Sequence, residues 1–482
     1  MVVEKMEKKK ILLINPANRK TEVLSPPLGL AYIAAYTRKF FPNYSYKIID
    51  FGLRTAHKRE QVELIKRENP WIVGITAMTP NIHSAYKLAK IIKKELPDTL
   101  IVLGGAHISA VKTIESKDID VAVLGEGENA FVDIIKMYKR NSEKKQMPKI
   151  YSGALLKSLD NFPAWDLLNL SDYAWFQPSK NNAQAVIYWS RGCPFNCIFC
   201  SNCVWRLKAP RVRFRSPENI VKEIRLLQTN YGVKEVYVFD DEVNTNIRWL
   251  FKVCEAIIKS GIKIAWKCQM RANKNLVSSE LLAIMKKAGC WHIAWGLESG
   301  DNDVLKNIKK HVTTEEIYRA LDIAKQAGIT GQGLFMLGNI WRNSNGRPSG
   351  ETYKDCQKTI NFAKKLRDNK MLDYVQFNIA TPYPGSEMWN IVHEFNLFNK
   401  SKTFDEKWDM DTHSLTFKHP ILSENELLRL HNQAWKSFSL SPRLVLTHLS
   451  RIRNIGDIKN FFASARIVLN VLLTGHTRSR KL

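Results

Sequence analysis

The chain has 482 residues, 45% apolar and 25% charged, which is ordinary for a folded protein with a large core and roughly two to four domains. Lys and Arg number 73 against 46 Asp and Glu, a net charge of +27. That balance favours an anionic contact (nucleic acid, a membrane surface or an acidic small molecule), unless lysine serves solubility alone. All eight cysteines lie beyond residue 192, which excludes an evenly stapled disulfide scaffold and points to a local metal cluster in a reducing compartment. The charged start leads straight into a strand, and no apolar run reaches about 18 residues. Neither a secretory signal nor a membrane span is expected, and the location reads as cytoplasmic.

Along the chain, apolar runs at 11–14, 46–50, 71–76, 99–103 and 121–124 read as strands, with helical patterns at 28–37 and 81–96. This alternation over residues 1–135 predicts a parallel, doubly wound, Rossmann-like α/β domain. Open α/β sheets bind ligands at the carboxyl ends of their strands. Those ends carry Asn15-Pro16, Ser25-Pro-Pro-Leu-Gly-Leu30, Thr76, Gly104-Gly-Ala-His107 and Gly125-Glu-Gly-Glu128. Their glycines let the backbone approach a ligand closely. No G-x-G-x-x-G follows the first strand and there is no Walker A lysine loop, so a dinucleotide is disfavoured.

Residues 136–184 read as a linker, lysine-rich and then interrupted by proline. The alternation resumes over 185–398, with strands at 185–189, 235–239, 262–266, 291–295, 333–337 and 374–378. Helical patterns lie between them at 217–229, 247–259, 279–288, 314–327 and 354–367. Six βα repeats predict a full or partial parallel barrel, a (β/α)6 arrangement with its site at the carboxyl ends of the strands. Residues 399–482 read as a basic helical region. Within it, apolar residues recur at helical spacing opposite Arg and Lys. That suits either an interfacial helix on an anionic membrane or a helix packed on the barrel.

The decisive segment is Ser190-Arg-Gly-Cys-Pro-Phe-Asn-Cys-Ile-Phe-Cys200. Three thiolates on one tight loop, Cys193, Cys197 and Cys200, can hold three irons of a cubane cluster and leave the fourth open. A zinc site using Cys203 as fourth ligand would need a second Cys/His hairpin, which the sequence does not supply. The segment resembles the radical S-adenosylmethionine (SAM) superfamily, in which SAM fills the open iron of a 4Fe-4S cluster. Phe199 matches the aromatic that precedes the third cysteine there. The resemblance continues in Phe239-Asp-Asp-Glu-Val243, Gln269-Met-Arg271, Trp295-Gly-Leu-Glu-Ser-Gly300 and Thr381-Pro-Tyr-Pro-Gly-Ser-Glu387. It implies that Asp240 or Asp241 lies near the SAM ammonium or the substrate, and that Arg271 pairs with the SAM carboxylate. By the same resemblance Glu298 accepts from the ribose hydroxyls, Lys309 or Lys310 supplies the following lysine, and Tyr383 lines the substrate pocket. Helix caps, surface ion pairs and rigid turns are the plainer readings of the same residues. One departure is the insertion 339–349, which splits Gly338 from Gly350-Glu-Thr352 on the active-site face.

The order of a cysteine-free α/β domain, a linker and a barrel resembles the cobalamin-binding class of that superfamily, which includes C-methyltransferases and the anaerobic magnesium-protoporphyrin ester cyclase. By that resemblance Pro27, Gly29, Thr76, Gly104, Gly105, His107, Gly125, Glu126, Gly127 and Glu128 are the candidate cobalamin contacts. The Asp-x-His-x-x-Gly signature of a cobalt-ligating histidine is absent. His107 therefore reads first as a loop histidine bonded to backbone. The implied activity is cleavage of SAM to a 5′-deoxyadenosyl radical, with cobalamin serving C-methylation of an unactivated carbon, on a lipid or tetrapyrrole. Ferredoxin or flavodoxin is the expected electron donor. A cyclase or oxidase without methyl transfer stays open, as does a non-catalytic cobalamin or iron-sulfur sensor. Nucleic acid is disfavoured, because the basic residues are not interleaved with an aromatic platform.

Overall fold

A computed structural model describes residues 9–16, 25–53, 58–141, 143–173, 178–181, 183–399 and 415–441. The chain divides into two compact units. Unit 1 runs to Val186 and adds Ser190–Gly192 and Ser201–Glu235; unit 2 comprises Ile187–Trp189, Cys193–Cys200 and the chain from Val236 on.

Unit 1 is built on a six-stranded sheet: β1 (Lys10–Asn15), β2 (Ser45–Asp50), β3 (Ile72–Thr76), β4 (Leu100–Gly104), β5 (Val121–Val123) and β6 (Ile150–Tyr151). The order is β2-β1-β3-β4-β5-β6, and every pairing is parallel. The apolar runs explain this. Ile11–Ile14, Ile72–Ile75 and Leu100–Leu103 are buried throughout, as strands covered on both faces must be. The chain reverses its order between β1 and β3, so the ligand crevice of such a sheet opens above those two strands. The residues expected as linker extend this unit instead: helix Gly127–Asn141 runs into them and β6 adds the edge strand. Periodicity in so polar a stretch is weak, whereas the sheet edge offers hydrogen bonds that only a strand can satisfy.

Further along, β7 (Gln184–Ile187) leads to a short antiparallel ladder of β8 (Ser190–Arg191) with β9 (Arg213–Phe214). Then come β10 (Glu235–Val238), β11 (Ala265–Met270), β12 (Cys290–Glu298) and β13 (Thr330–Leu337). A hairpin of β14 (Ile340–Arg342) and β15 (Pro348–Gly350) precedes β16 (Tyr374–Ile379). The second sheet has the order β16-β13-β12-β11-β10-β7, six strands in sequence, which is the partial barrel expected. Helices such as Thr314–Gln326 fill the intervals, that one opened by a capping box of Thr313 and Glu316. Strand β11 starts three residues later than its apolar run suggests. Its register is set by β12, where Trp266 pairs with Cys290. The insertion 339–349 is the β14–β15 hairpin, pinned to helix Glu387–Glu394 by the Arg342–Glu394 ion pair. At the end, helix Glu424–Ser439 packs on β16, with His431 Nε2 2.9 Å from the Phe377 carbonyl. The expected interfacial helices beyond residue 441 lie outside the described residues. Among the described residues no helix is long and apolar enough to cross a membrane.

Unit 1 carries a fully buried ion pair. Arg215 donates to Glu223 Oε2 and Trp165 Nε1 to Glu223 Oε1 at 3.0 Å, with side-chain exposures of 2% for the arginine and 0% for the glutamate. Removing the carboxylate strips a buried guanidinium of its counter-charge, while Asn219 Oδ1 still accepts from its Nε at 2.8 Å. Glu223→Ala is therefore expected to cost about 3–5 kcal/mol in urea unfolding of the full chain. A loss below about 1 kcal/mol would show that the pair is a spectator.

Candidate cluster and cofactor site

In unit 2 the cysteine loop is stitched to the barrel by its backbone. Ile198 N–H donates to the Ile308 carbonyl (3.1 Å), Met388 N–H to the Ile198 carbonyl (2.9 Å), and Cys200 N–H to the Cys197 carbonyl (3.1 Å). Cys197 is buried; Cys193, Cys200 and Phe199 are half-buried. Among the described residues, no three of His, Cys, Asp and Glu converge as the ligands of a single ion. A cubane cluster takes each thiolate on a different iron. Burial pushes the Cys193 thiol up to about 12, opposed by the Phe195 N–H and reinforced by Glu242, Asp241 and Cys200. A metal centre bound there would take the thiolate form and release its proton. The side chain of Cys203 lies outside the described ones.

Arg271 is buried at the end of β11 and is already engaged. Its Nη1 lies 3.3 Å from Cys197 Sγ, Nε donates to Asn273 Oδ1 at 3.0 Å, and Nη2 donates to the Lys310 carbonyl. The guanidinium sits 3.8 Å over the Phe195 ring. A guanidinium between a sulfur acceptor and an aromatic face is favourably placed on both sides.

Lys310 is the buried lysine of the pair, and its Nζ lies 2.9 Å from Glu298 Oε1. Lys309 points to the surface and pairs with Glu387. Glu298 has a left-handed φ of 63° beside an irregular register between Gly296 and Glu298. A methyl on Gly296 would come within 2.8 Å of Lys310 Nζ, so glycine there keeps the lysine–glutamate contact open.

The two aspartates expected at the SAM ammonium behave differently. Asp240 is buried and accepts from Trp189 N–H at 2.8 Å, fixing the end of the neighbouring strand; Asp241 is exposed. The carboxylate that turns inward is Glu242, which the sequence reading passed over. Its Oε2 atom is closed to solvent and has no hydrogen-bond partner. Burial pushes it up to about 7, while Lys310 and Arg271 pull the other way. A run of three acidic residues at a strand end was the only signal in the sequence, and it cannot say which of them faces in. Tyr383 is half-buried in the turn before helix Glu387–Glu394, and burial pushes its phenol up to about 12. The open hollow between helices Tyr353–Asp368 and Glu424–Ser439, lined by Arg367, Arg429 and Lys436, holds none of these residues.

The carboxyl edge of the unit 1 sheet gathers the other candidates. Pro27 opens helix Leu28–Arg38, and Gly29 in its first turn is exposed with open space where a Cβ would stand. Thr76 pairs with Gly104 at the ends of β3 and β4. Gly105 (φ +107°) lets Ala77 close in: a Cβ would meet the Ala77 carbonyl oxygen at 2.5 Å. Gly125 (φ +80°) donates its N–H to Ser109 Oγ at 3.0 Å, and Gly127 opens helix Gly127–Asn141. This bare, glycine-lined backbone suits a large amide-rich ligand. His107 is not a loop residue. It is buried in helix Ala106–Val111 with Nδ1 3.1 Å from Thr79 Oγ1, and burial lowers it to about 4, so the ring is neutral. Met78, also missed, stands 56% exposed beyond β3 while its N–H is held by Asn81 Oδ1 at 2.7 Å. The carboxylates of Glu126 and Glu128 are committed to arginines. Arg191 reaches Glu128 Oε1 at 2.6 Å and Glu126 Oε1 at 3.4 Å, and Arg213 also pairs with Glu126.

Comparison with known proteins agrees with this geometry. The Radical SAM superfamily matches residues 187–342 and the B12 binding domain matches residues 14–135. The chain is 30% identical to the uncharacterized methyltransferase PH0819 of Pyrococcus horikoshii, over 92% of this chain and 95% of that one. The chain belongs to the cobalamin-binding radical SAM superfamily. It is also 28% identical to the anaerobic magnesium-protoporphyrin IX monomethyl ester cyclase of Rubrivivax gelatinosus, over 84% of this chain and 72% of that one. In fold it matches the cobalamin-dependent SAM radical enzyme OxsB, solved with aqua-cobalamin and SAM bound. The TM-score is 0.70 at 16% identity, over 97% of this chain and 72% of that one. As a member of the superfamily the protein is a radical SAM enzyme whose cofactors are SAM, a 4Fe-4S cluster and cobalamin.

The backbone just before Cys193 is closely packed. Gly192 has φ +95°, and a Cβ there would lie 1.8 Å from the Arg211 carbonyl oxygen. Gly192→Ala must displace that backbone. It is expected to lower the iron bound per chain after anaerobic reconstitution by at least about half, with the far-ultraviolet spectrum unchanged. Full iron loading of the variant would contradict the assignment of this loop as rigid.

Proposed function

We propose that the protein is a C-methyltransferase, acting on an apolar small molecule of the tetrapyrrole or lipid kind. When bound, the cofactors supply a 5′-deoxyadenosyl radical that takes a hydrogen atom from an unactivated carbon, and a corrin-carried methyl group to replace it. The observation that carries the reading is the inward Glu242 carboxylate, without a hydrogen-bond partner at Oε2, beside the thiol of Cys193. A closed-off acceptor costs stability unless a donor arrives, and the SAM ammonium is a donor of the right charge.

The roles of the chain's own residues follow. Cys193, Cys197 and Cys200 hold the cluster, and Arg271 offsets the negative charge on Cys197. Glu242 takes the SAM ammonium, with Asp241 beside it on the exposed side. Glu298, held by Lys310, faces the ribose. Asp240 positions the strand end through Trp189 and does not touch SAM. Phe199 and Tyr383 line the pocket. In unit 1, Pro27, Gly29, Thr76, Met78, Gly104, Gly105, His107, Gly125 and Gly127 border the corrin, largely through backbone. Glu126 and Glu128 act as anchors. The methyltransferase name of one relative and the tetrapyrrole substrate named for another support the substrate class. The second name also supports ring closure without methyl transfer as the second reading. A low-potential donor such as ferredoxin or flavodoxin, in a reducing cytoplasm, suits a cluster on buried and half-buried thiols. The net charge of +27 suits an acidic donor or an anionic membrane surface.

The test is anaerobic. The protein is reconstituted with iron, sulfide and hydroxocobalamin, given SAM and reductant, and assayed for 5′-deoxyadenosine, S-adenosylhomocysteine and product mass. Both SAM products and a methyl mass gain are expected, with deoxyadenosine lost in Cys197→Ala. Deoxyadenosine without S-adenosylhomocysteine would favour the cyclase reading, and an intact cluster that never cleaves SAM would refute both. Glu242→Gln should keep its iron but bind SAM roughly tenfold more weakly, about 1.4 kcal/mol. Because burial raises the Glu242 pKa to about 7, the carboxylate gains its charge as pH rises through that value. SAM affinity should therefore rise between about pH 6 and pH 8 in the native protein and stay flat in Glu242→Gln. An unchanged affinity in the variant would remove Glu242 from the site.

A further inference from the structure

Helix Glu424–Ser439 in unit 2 has two faces. Leu427, Leu430, His431, Ala434 and Phe438 are buried, at the spacing of one helical stripe, and seat it on the barrel. The opposite stripe, Arg429, Asn432, Gln433, Lys436 and on to Leu440, borders an open hollow of about 780 Å3. Arg367, at the end of helix Tyr353–Asp368, lines it from the other side. That side chain is only 10% exposed and is built in. Its Nη1 donates to the Ser437 and Phe438 carbonyls, closing the last turn of the neighbouring helix, and its Nε donates to Asp368 Oδ1 at 2.9 Å. Arg429 and Lys436 are exposed, and among the described residues neither makes a hydrogen bond or an ion pair. Three cations and two amides thus line the hollow, with no carboxylate among the lining side chains. Cations gathered on one concave surface concentrate anions there.

We propose that this hollow seats the phosphate headgroup of an anionic phospholipid, so that unit 2 rests on a membrane surface: Arg429 and Lys436 take the phosphate over the fixed charge of Arg367, and Leu440 enters the acyl layer. This rests on the reading of the net charge as one for an anionic surface, and is independent of the chemistry at the cluster. Leu440 decides between anions. It is 52% exposed beside the cations, and an apolar side chain next to basic ones matches a bilayer surface, with phosphate outside and hydrocarbon beneath. No aromatic side chain is among the lining residues, so nucleic-acid bases have no platform to stack on. The sequence that follows Ser441, residues 442–482, carries eight Lys and Arg against one Asp, which continues the same charge.

The full chain is sedimented with vesicles of phosphatidylcholine, alone or mixed equally with phosphatidylglycerol. The native protein is expected to bind the mixed vesicles and not the neutral ones. Arg429→Gln combined with Lys436→Gln should bind them roughly thirtyfold more weakly, the loss of two membrane-facing cations. A control that removes two exposed lysines from other helices of unit 2, Lys259→Gln with Lys325→Gln, should bind as the native protein does. Leu440→Gln, which leaves the charge unchanged, should also weaken binding. All three hollow positions are exposed, so these variants are expected to keep the native far-ultraviolet spectrum and unfolding midpoint. Equal losses in the hollow and control variants would overturn the proposal. So would saturable binding of glycerol phosphate, or of a single-stranded RNA, by a native protein that ignores the vesicles. A native protein that binds none of these would overturn the membrane reading of the net charge along with the proposal. SAM cleavage is scored without vesicles, so the methyl-transfer reading stands or falls separately.

Discussion

Two arginines and two glutamates packed together away from water are costly to assemble and more costly to split. In this protein they are Arg191, Arg213, Glu126 and Glu128, which tie the Gly125–Glu128 loop to the β8–β9 ladder within unit 1 and so fix the carboxyl edge of its sheet. The loop carrying three thiols has no regular structure of its own and is fixed in unit 2 by backbone hydrogen bonds to Ile308 and Met388. The glycines at 125 and 192 take left-handed φ values, which few other residues accept without strain.

Within unit 2 a second electrostatic group does the complementary work. Arg271 lies against Cys197, Lys310 against Glu298, and Glu242 is left with a buried acceptor atom beside them. Arg271 and Lys310 are engaged by protein groups, and the buried Glu242 oxygen is the acceptor to which we assign the SAM ammonium.

Much of the architecture was legible. Strands buried on both faces show as unbroken apolar runs, so β1, β3 and β4 could be read directly, as could most of the barrel strands. The cysteine spacing was legible because three ligands on one loop must be close in sequence. Less legible was anything decided by side-chain direction. Asp240, Asp241 and Glu242 are adjacent acids, and only the fold turns one to a backbone N–H, one to solvent and one inward. Glu126 and Glu128 looked like ligand contacts, since they stand between glycines at a strand end; their arginine partners are 63 to 87 residues away in sequence. His107 looked like a loop residue because a short helix of six residues leaves little periodicity to detect. The edge strand β6 was hidden for a similar reason, being two residues long in a polar stretch.

The central claim is that three cysteines of this chain hold a cluster with one iron kept open for SAM. Mössbauer spectroscopy of the iron-57 reconstituted protein, before and after addition of SAM, tests it most directly. The account predicts a cubane cluster in which a single iron site changes its isomer shift when SAM binds, while the other three stay as they were. A cluster whose irons are all indifferent to SAM, or a loop that takes up zinc in place of iron, would contradict it.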